Sequence, residues 1–302
     1  MVSGDIRQQE GPDGGIGRRA RLRIWWSNPC GFESLSGHLQ PFEDEVSGLE
    51  HEGLLGSGIC STKGMESAPD PRSDGAHTIF AEQLAIYRRV VDADYMSHRA
   101  LFGILHDLLK PRQKPFSFLD LASGDASCSV GALSGTRVGD YTAVDLSEPA
   151  LRLASRHARL LACDTQVVLQ DFQDYLDSPP RIWDIIFIGF SYHHLIGDAK
   201  LSFARKLRRA VSAGGEWIFF EPMLHGGQTR ADYLERWKRS LDEDWEAFNP
   251  EEKATIWEHV SDYDFPESRE SFEQIALEAG FRAFEHLYTD PLGFYGAFRA
   301  IA

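Results

Sequence analysis

Phe118-Leu119-Asp120-Leu121-Ala122-Ser123-Gly124-Asp125-Ala126 is the stretch whose reading decides the fold of this chain. An apolar run, Phe116 to Leu121, gives way abruptly to small residues, as a buried strand does on entering a tight turn. Small residues at that point let backbone approach a ligand closely, because little or no side chain stands between them. Cys128 to Leu133 continues as a short helix, so the stretch reads as strand, turn and helix.

The alternation repeats downstream. Tyr141 to Asp145 is a second strand and Glu148 to Leu161 a helix with an acidic first turn. Gln166 to Leu169 is a third strand. Trp183 to Phe190 is a fourth, nearly all apolar as a central parallel strand is. Ala199 to Val211 is a helix stopped at Gly214-Gly215, and Glu216 to Phe220 a fifth strand. Residues 228–266 interrupt the pattern with charged, Trp-bearing helical segments, and a helix from Glu270 to Ala279 follows. Phe281 to Tyr288 and Phe294 to Arg299 are two last strands; the loop between them is too short for a crossover helix, so they pair antiparallel. The expected fold is α/β: a doubly wound, seven-stranded, mostly parallel sheet with a C-terminal antiparallel strand pair and a helical cap.

Upstream, Ile79 to Val91 and Tyr95 to Leu109 carry apolar residues at helical spacing, and Pro111 and Pro115 close the second helix. Residues 1–76 differ: glycine recurs and no period persists. They read as a disordered extension; translation starting at Met65, or a tail that binds a partner through Trp25 and Trp26, are the other readings. The expected division is therefore 1–76 as extension and 77–302 as one domain, with 77–110 and 228–266 as caps.

The 302 residues carry a net charge of −15, which repels phosphate backbones and argues against nucleic acid as a partner. No apolar stretch is long enough to span a bilayer and no signal-peptide core is present, so the expected setting is cytoplasmic, away from the membrane. Cys30, Cys60, Cys128 and Cys163 form no CxxC pair and read as reduced thiols.

Open α/β sheets bind ligands outside the carboxyl ends of their strands, and the polar residues gather there. Asp145 ends the second strand, where a carboxylate can accept both hydroxyls of a ribose. Gln170-Asp171-Phe172 ends the third, offering an acceptor for an adenine amino group and a ring to lie against the base. Ser191-Tyr192-His193-His194 follows the fourth, and Glu221 follows the fifth.

The order Asp120…Gly124, Asp145, Asp171-Phe172, with Asp184 opening the fourth strand, resembles the class I, Rossmann-like, S-adenosylmethionine-dependent methyltransferase family, from residue 115 to the end. Phe220-Glu221-Pro222-Met223 and Arg230-Ala231-Asp232-Tyr233-Leu234 resemble its small-molecule branch, in which a helical lid caps the site. The resemblance implies S-adenosyl-L-methionine as cofactor and a small-molecule acceptor. It implies that Asp120 lies under the cofactor and orders the loop. Ala122 and Gly124 then face the methionine moiety, and Asp145, with Leu146 beside it, holds the ribose. Asp171 and Phe172 hold the adenine, and Ser191 to His194 line the pocket near the transferred methyl. The family's loop usually carries three glycines; here the first and third positions are Ala122 and Ala126, and alanine at the third narrows the space for cofactor.

Each assignment has a plainer counterpart. Asp120 and Asp171 can cap a turn or a helix, and Asp145 before Ser147-Glu148-Pro149 can be a helix-start signal. His193 and His194 are the candidate general bases, with His194 preferred, since adjacent loop residues rarely both face one pocket. No third ligand stands near them in sequence, so no metal is expected. Glu221 either positions a substrate group or holds the lid. Tyr95 and His98 either pack or fold over the cofactor; Trp237, Trp245 and Trp257 read first as lid core. The competing functions are a non-catalytic, methyltransferase-like regulatory or interaction protein, which Ala126 and the long extension fit, and an NAD-dependent oxidoreductase, which the missing G-x-G-x-x-G disfavours. The acceptor and the oligomeric state are not legible in these residues.

Overall fold

The computed structural model describes residues 86–302, so the expectations for 1–85 lie outside the described residues. Eight strands run through it: β1 (Phe116–Leu121), β2 (Val138–Asp145), β3 (Asp164–Leu169), β4 (Trp183–Gly189), β5 (Val211–Leu224), β6 (Glu267–Ser268), β7 (Ala283–Thr289) and β8 (Tyr295–Ile301). Seven of them follow the order β3-β2-β1-β4-β5-β8-β7, and β6 pairs off this path with β5. The β3 to β5 portion is parallel; β8 is antiparallel to both β5 and β7. The doubly wound sheet with a terminal antiparallel pair is therefore as expected. The two-residue β6 is the addition, too short to show any sequence period.

Helices α1 (His98–Leu109), α2 (Ser127–Leu133), α3 (Glu148–Ala158), α4 (Phe172–Tyr175), α5 (Asp198–Ala210), α6 (Arg230–Asp244), α7 (Pro250–Tyr263) and α8 (Arg269–Glu278) cover the sheet, and residues 86–92 are also helical. Two apolar cores result. One joins a sheet face to α1, α2, α3 and the lid through Phe102, Phe118, Phe187 and Trp237. The other joins the opposite face to α5 and α8 through Trp217, Phe219, Phe203 and Phe272. β5 begins at Val211, five residues earlier than expected, because the glycine pair sits in a bulge within the strand: the pairing with β4 jumps from Trp183 opposite Val211 to Ile185 opposite Glu216, and Gly214 takes the left-handed φ of 76. Helix α1 starts at His98 rather than Tyr95; Asp94 and Ser97 both hold φ above 50, which ends the preceding turn.

Helices α6 and α7 make up the segment 228–266 expected to act as a lid. Both start with a reciprocal capping box, Thr229 with Asp232 and Asn249 with Glu252, which satisfies first-turn amides that would otherwise lack partners. Trp237 and Trp245 meet edge to face at 5.2 Å, and Trp237 Nε1 donates to Tyr295 Oη at 2.9 Å, so the tryptophans are lid core. Tyr95 stacks on Trp245 at 4.6 Å, and Arg89 pairs with Glu252, joining the N-terminal helical residues to the lid. His98 is buried and bonded to Tyr87 Oη at 2.9 Å, a packing role. The lid is tied to the body chiefly through backbone carbonyls. Within that segment Arg230 joins its two helices, donating to Ser261 O and Asp264 O, both at 2.6 Å. Arg236 donates to Leu292 O at 2.7 Å and Gly293 O at 3.1 Å, and Lys200 to Phe265 O at 2.5 Å.

Cys163 is a free thiol; Cys128 is disulfide-bonded, which corrects the expectation of four reduced cysteines. Cysteine spacing alone carried no sign of that bond. Among the described residues, no helix is long and apolar enough to cross a membrane.

Candidate functional site

The carboxyl ends of β1, β2 and β4 lie side by side, because these strands are neighbours in register: Asp120 faces Ala143 on β2 and Phe187 on β4. The chain leaves β1 through a loop in which every second residue is left-handed: Ala122 at φ 53, Gly124 at φ 56 and Ala126 at φ 59. Glycine adopts such angles at no steric cost, whereas alanine pays for each. The exit from β4 repeats the device with a bulky residue, Phe190 at φ 55.

Three carboxylates support this loop from inside. Asp120 Oδ2 accepts Ser129 Oγ at 2.5 Å and Tyr141 Oη at 2.6 Å, tying β1 to α2 and β2. Burial lifts its pKa to about 7, against the pull of those two donors. Asp125 accepts the amide and hydroxyl of Ser127 on Oδ1; its other oxygen is buried without a hydrogen-bond donor, and Arg88 Nη2 stands 4.0 Å from it. Burial raises it, too, to about 7. Asp145 accepts Gly124 N on Oδ2 at 2.9 Å and Ser147 N on Oδ1 at 2.8 Å. Burial raises it to about 6, while the amides of Ser147, Gly124 and Leu146 favour its charged form. Asp145 thus touches the loop and the start of α3 together, and Leu146 lies between it and Ser147.

Asp171 is the N-cap of α4: Oδ1 accepts Gln173 N at 2.8 Å and Asp174 N at 3.4 Å. Phe172 is half-buried and meets Phe203 edge to face at 5.1 Å. The plainer reading of Asp171 therefore holds for one of its two oxygens. Asp184 serves the other end of the sheet, accepting Ser117 N and Oγ on Oδ2. The cleft lined by Arg112, Pro115, Asp184 and Gly215 lies at that opposite end as well.

After β4, Ser191 to His194 form a 3-10 turn held by one carboxylate. Glu221 Oε1 accepts the amides of Ser191 at 3.2 Å and Tyr192 at 2.8 Å; Oε2 accepts the amide of His193 at 3.0 Å and its Nδ1 at 2.5 Å. Glu221 is fully buried, and four contacts occupy it. His193 Nε2 lies 3.3 Å from Asp264 Oδ1. Burial alone pulls the His193 pKa down, but the carboxylates of Asp264 and Glu221 outweigh it and hold it near 9. His194 donates Nδ1 to Tyr263 O at 3.0 Å; burial, with His193 and His259 nearby, drives it well below the usual histidine range.

The structure brings to this pair two residues that sequence reasoning missed. His259 on α7 and Asp264 just beyond it are both buried beside the 191–194 turn. Nothing in the sequence gave them away: Asp264 precedes Phe265-Pro266 and reads as a helix end, and His259 reads as one residue of an amphipathic face. The expectation that no third metal-type ligand stands nearby is corrected by folding: Asp264 offers its oxygen within 4.8 Å of ligand nitrogens of His193 and His194.

Residues 118–215 match a family profile described as a methyltransferase domain. No curated protein matches the sequence. Among solved structures, an O-methyltransferase family protein from Burkholderia thailandensis superposes with a TM-score of 0.52 at 11% identity, covering 76% of this chain and 62% of that one. The plantazolicin methyltransferase, solved with S-adenosylhomocysteine, gives 0.51 at 12% identity, covering 76% and 91%. A possible exported protein from Bordetella parapertussis gives 0.50 at 16% identity, covering 67% of each chain. Such low identities speak for a shared fold.

Proposed function

We propose that the chain, whose residues 118–215 match a methyltransferase-domain profile, is a class I methyltransferase that transfers a methyl group from S-adenosylmethionine to a small-molecule acceptor. The observation that carries this reading is the left-handed alternation of Ala122, Gly124 and Ala126 directly against Asp145, at a switch point of the sheet. The residues present fit the cofactor. Asp120, Asp125 and Asp145 make an interior that favours positive charge, and Arg88 is the cation set against them, 4.0 Å from Asp125. S-adenosylmethionine brings a sulfonium and an ammonium.

When bound, the cofactor supplies an electrophilic methyl on a good leaving group. The protein's part is alignment and exclusion of water. Asp145 would accept the ribose hydroxyls, with Leu146 alongside. Asp171, through the oxygen its capping bonds leave over, and Phe172 would hold the adenine. Ala122 and Gly124 would face the methionine moiety, over the loop that Asp120 orders. Ser191 opens the turn expected near the methyl. Glu221, with four contacts spent on that turn and on His193, is a positioning residue, and the burial of His193 and His194 suits the same work. The helical residues before β1 and the lid, joined through Tyr95, Trp245 and the Arg89–Glu252 pair, would close the acceptor pocket. A closed pocket of this kind suits a small acceptor.

Calorimetric titration of S-adenosylmethionine and S-adenosylhomocysteine into wild type and Asp145→Ala tests the reading. Micromolar binding that the substitution weakens about tenfold, or about 1.4 kcal/mol, supports it. A folded wild type that binds neither ligand overturns it.

A further inference from the structure

We propose that His193, His194, His259 and Asp264 form a binding site for a zinc-class divalent cation, a clasp that fastens the lid to the turn after β4. The four residues come from two segments that nothing else in the sequence couples: the turn carries two histidines, and the end of α7 carries His259 and, just beyond it, Asp264. Folding converges them on one atom. Asp264 Oδ1 lies 3.3 Å from His193 Nε2 and 3.9 Å from His259 Nε2, and ligand atoms of His193, His194 and Asp264 all lie within 4.8 Å of one another. Four ligands about 2.0–2.1 Å from a tetrahedral zinc stand about 3.4 Å apart, so the shortest of these separations already fits and the longest would draw in by about 1.4 Å on binding.

The surroundings orient the ligands as metal sites require. Ligating histidines usually donate their second ring nitrogen to a carboxylate or a backbone carbonyl, which fixes the tautomer. His193 does so to Glu221 Oε2 at 2.5 Å, and His194 to Tyr263 O at 3.0 Å. Both acceptors can only accept, so each Nδ1 carries hydrogen without the metal. This leaves His193 Nε2, 3.3 Å from Asp264 Oδ1, to coordinate, whereas in His194 it is Nδ1 that stands 3.9 Å from that oxygen and would exchange its bond to Tyr263 O for the cation. Asp264 Oδ1 is buried and receives no hydrogen bond. Relative exposures of 1%, 9%, 5% and 5% for His193, His194, His259 and Asp264 describe a closed site, as in structural rather than catalytic zinc centres. A divalent cation also balances the two buried carboxylates, Asp264 and Glu221. Three imidazoles and one carboxylate suit zinc or a neighbouring transition metal; calcium and magnesium take oxygen ligands.

The test uses the full chain, stripped with a chelator and then dialysed against micromolar zinc or cobalt. We expect about one zinc per chain by elemental analysis, and a strong visible absorption from tetrahedral cobalt in the wild type itself. His259→Gln and Asp264→Asn lower zinc affinity by about tenfold or more, and Glu221→Gln, acting through His193, by about 10- to 100-fold. Asp242→Asn, exposed on α6, leaves it unchanged. A folded wild type with neither retained zinc nor a cobalt band overturns the proposal, as does full zinc stoichiometry and affinity in folded His259→Gln and Asp264→Asn. Cofactor binding is read separately by calorimetry, so this result and the methyltransferase reading fail independently.

Discussion

Replacing Ala122 with glycine is expected to stabilise the protein, against the usual direction of such a change. An alanine held in the left-handed region costs about 1–2 kcal/mol, and Ala122 stands there at φ 53. Glycine removes that cost but frees the unfolded chain, which opposes it by about 0.4–1 kcal/mol. The methyl of Ala122 is half-buried, so its loss removes roughly half of the ~0.8 kcal/mol that a buried carbon contributes. The balance is a gain of about 0.5 kcal/mol. Ala126, at φ 59, differs in one respect: it is fully buried, so the whole methyl contribution is lost and Ala126→Gly comes out near neutral. Urea unfolding followed by tryptophan fluorescence measures both, with midpoints compared at a shared slope to avoid extrapolation error. If the backbone at these residues lay at negative φ, both variants would instead lose about 1 kcal/mol or more. That loss would refute the left-handed alternation and, with it, the geometric basis for the loop's role.

Other expectations follow from the same site. Asp120, Asp125 and Asp145 have folded pKa values near 7, 7 and 6, raised from 3.8, so between about pH 4 and 7 the folded state holds more protons than the unfolded one. Their contribution to stability is fully present below pH 4 and is lost as pH rises through 6 to 7. Asp120→Asn should therefore flatten the pH dependence of the urea midpoint between pH 5 and 7.5, and an unchanged slope would count against the buried carboxylates. Affinity for S-adenosylmethionine should fall about tenfold per pH unit below about 6, as Asp145 takes up its proton; calorimetry in buffers of different ionisation enthalpy reads that proton directly. Tyr141→Phe removes a donor from Asp120 and should cost about 1–3 kcal/mol in urea unfolding. Lys200→Met strands the carbonyl of Phe265 and one oxygen of Glu267; a cost of about 2–3 kcal/mol is expected by the same assay, and a neutral result would show the lid anchored elsewhere.

The parallel strands were legible because each is a short apolar run closed by small or polar residues, and the strand ends pointed to Asp120, Asp145 and Asp171 for the same reason. What stayed hidden depends on distance in space or on backbone angle. Ala122 and Ala126 were visible as departures from glycine, yet their left-handed angles were not, because alanine ordinarily avoids them. Asp171 was visible as a strand-end carboxylate, but its capping bonds to Gln173 and Asp174 set how much of it is left for a ligand. His259 and Asp264 became relevant only once α7 had folded back over the 191–194 turn, a contact between segments about 70 residues apart that no local period encodes. The two-residue strand β6, Glu267–Ser268, is held by its pairing with Met223 and Leu224 rather than by its own composition.

The way the lid is fastened bears on how this protein can drift in sequence. Arg230, Arg236 and Lys200 grip main-chain carbonyls of Ser261, Asp264, Phe265, Leu292 and Gly293. A carbonyl persists whatever side chain its residue bears. The receiving positions can thus accept replacements without loosening these particular grips, while the three cations can accept almost none. Mutational tolerance around the lid should accordingly be lopsided, with the burden of retention falling on the donors.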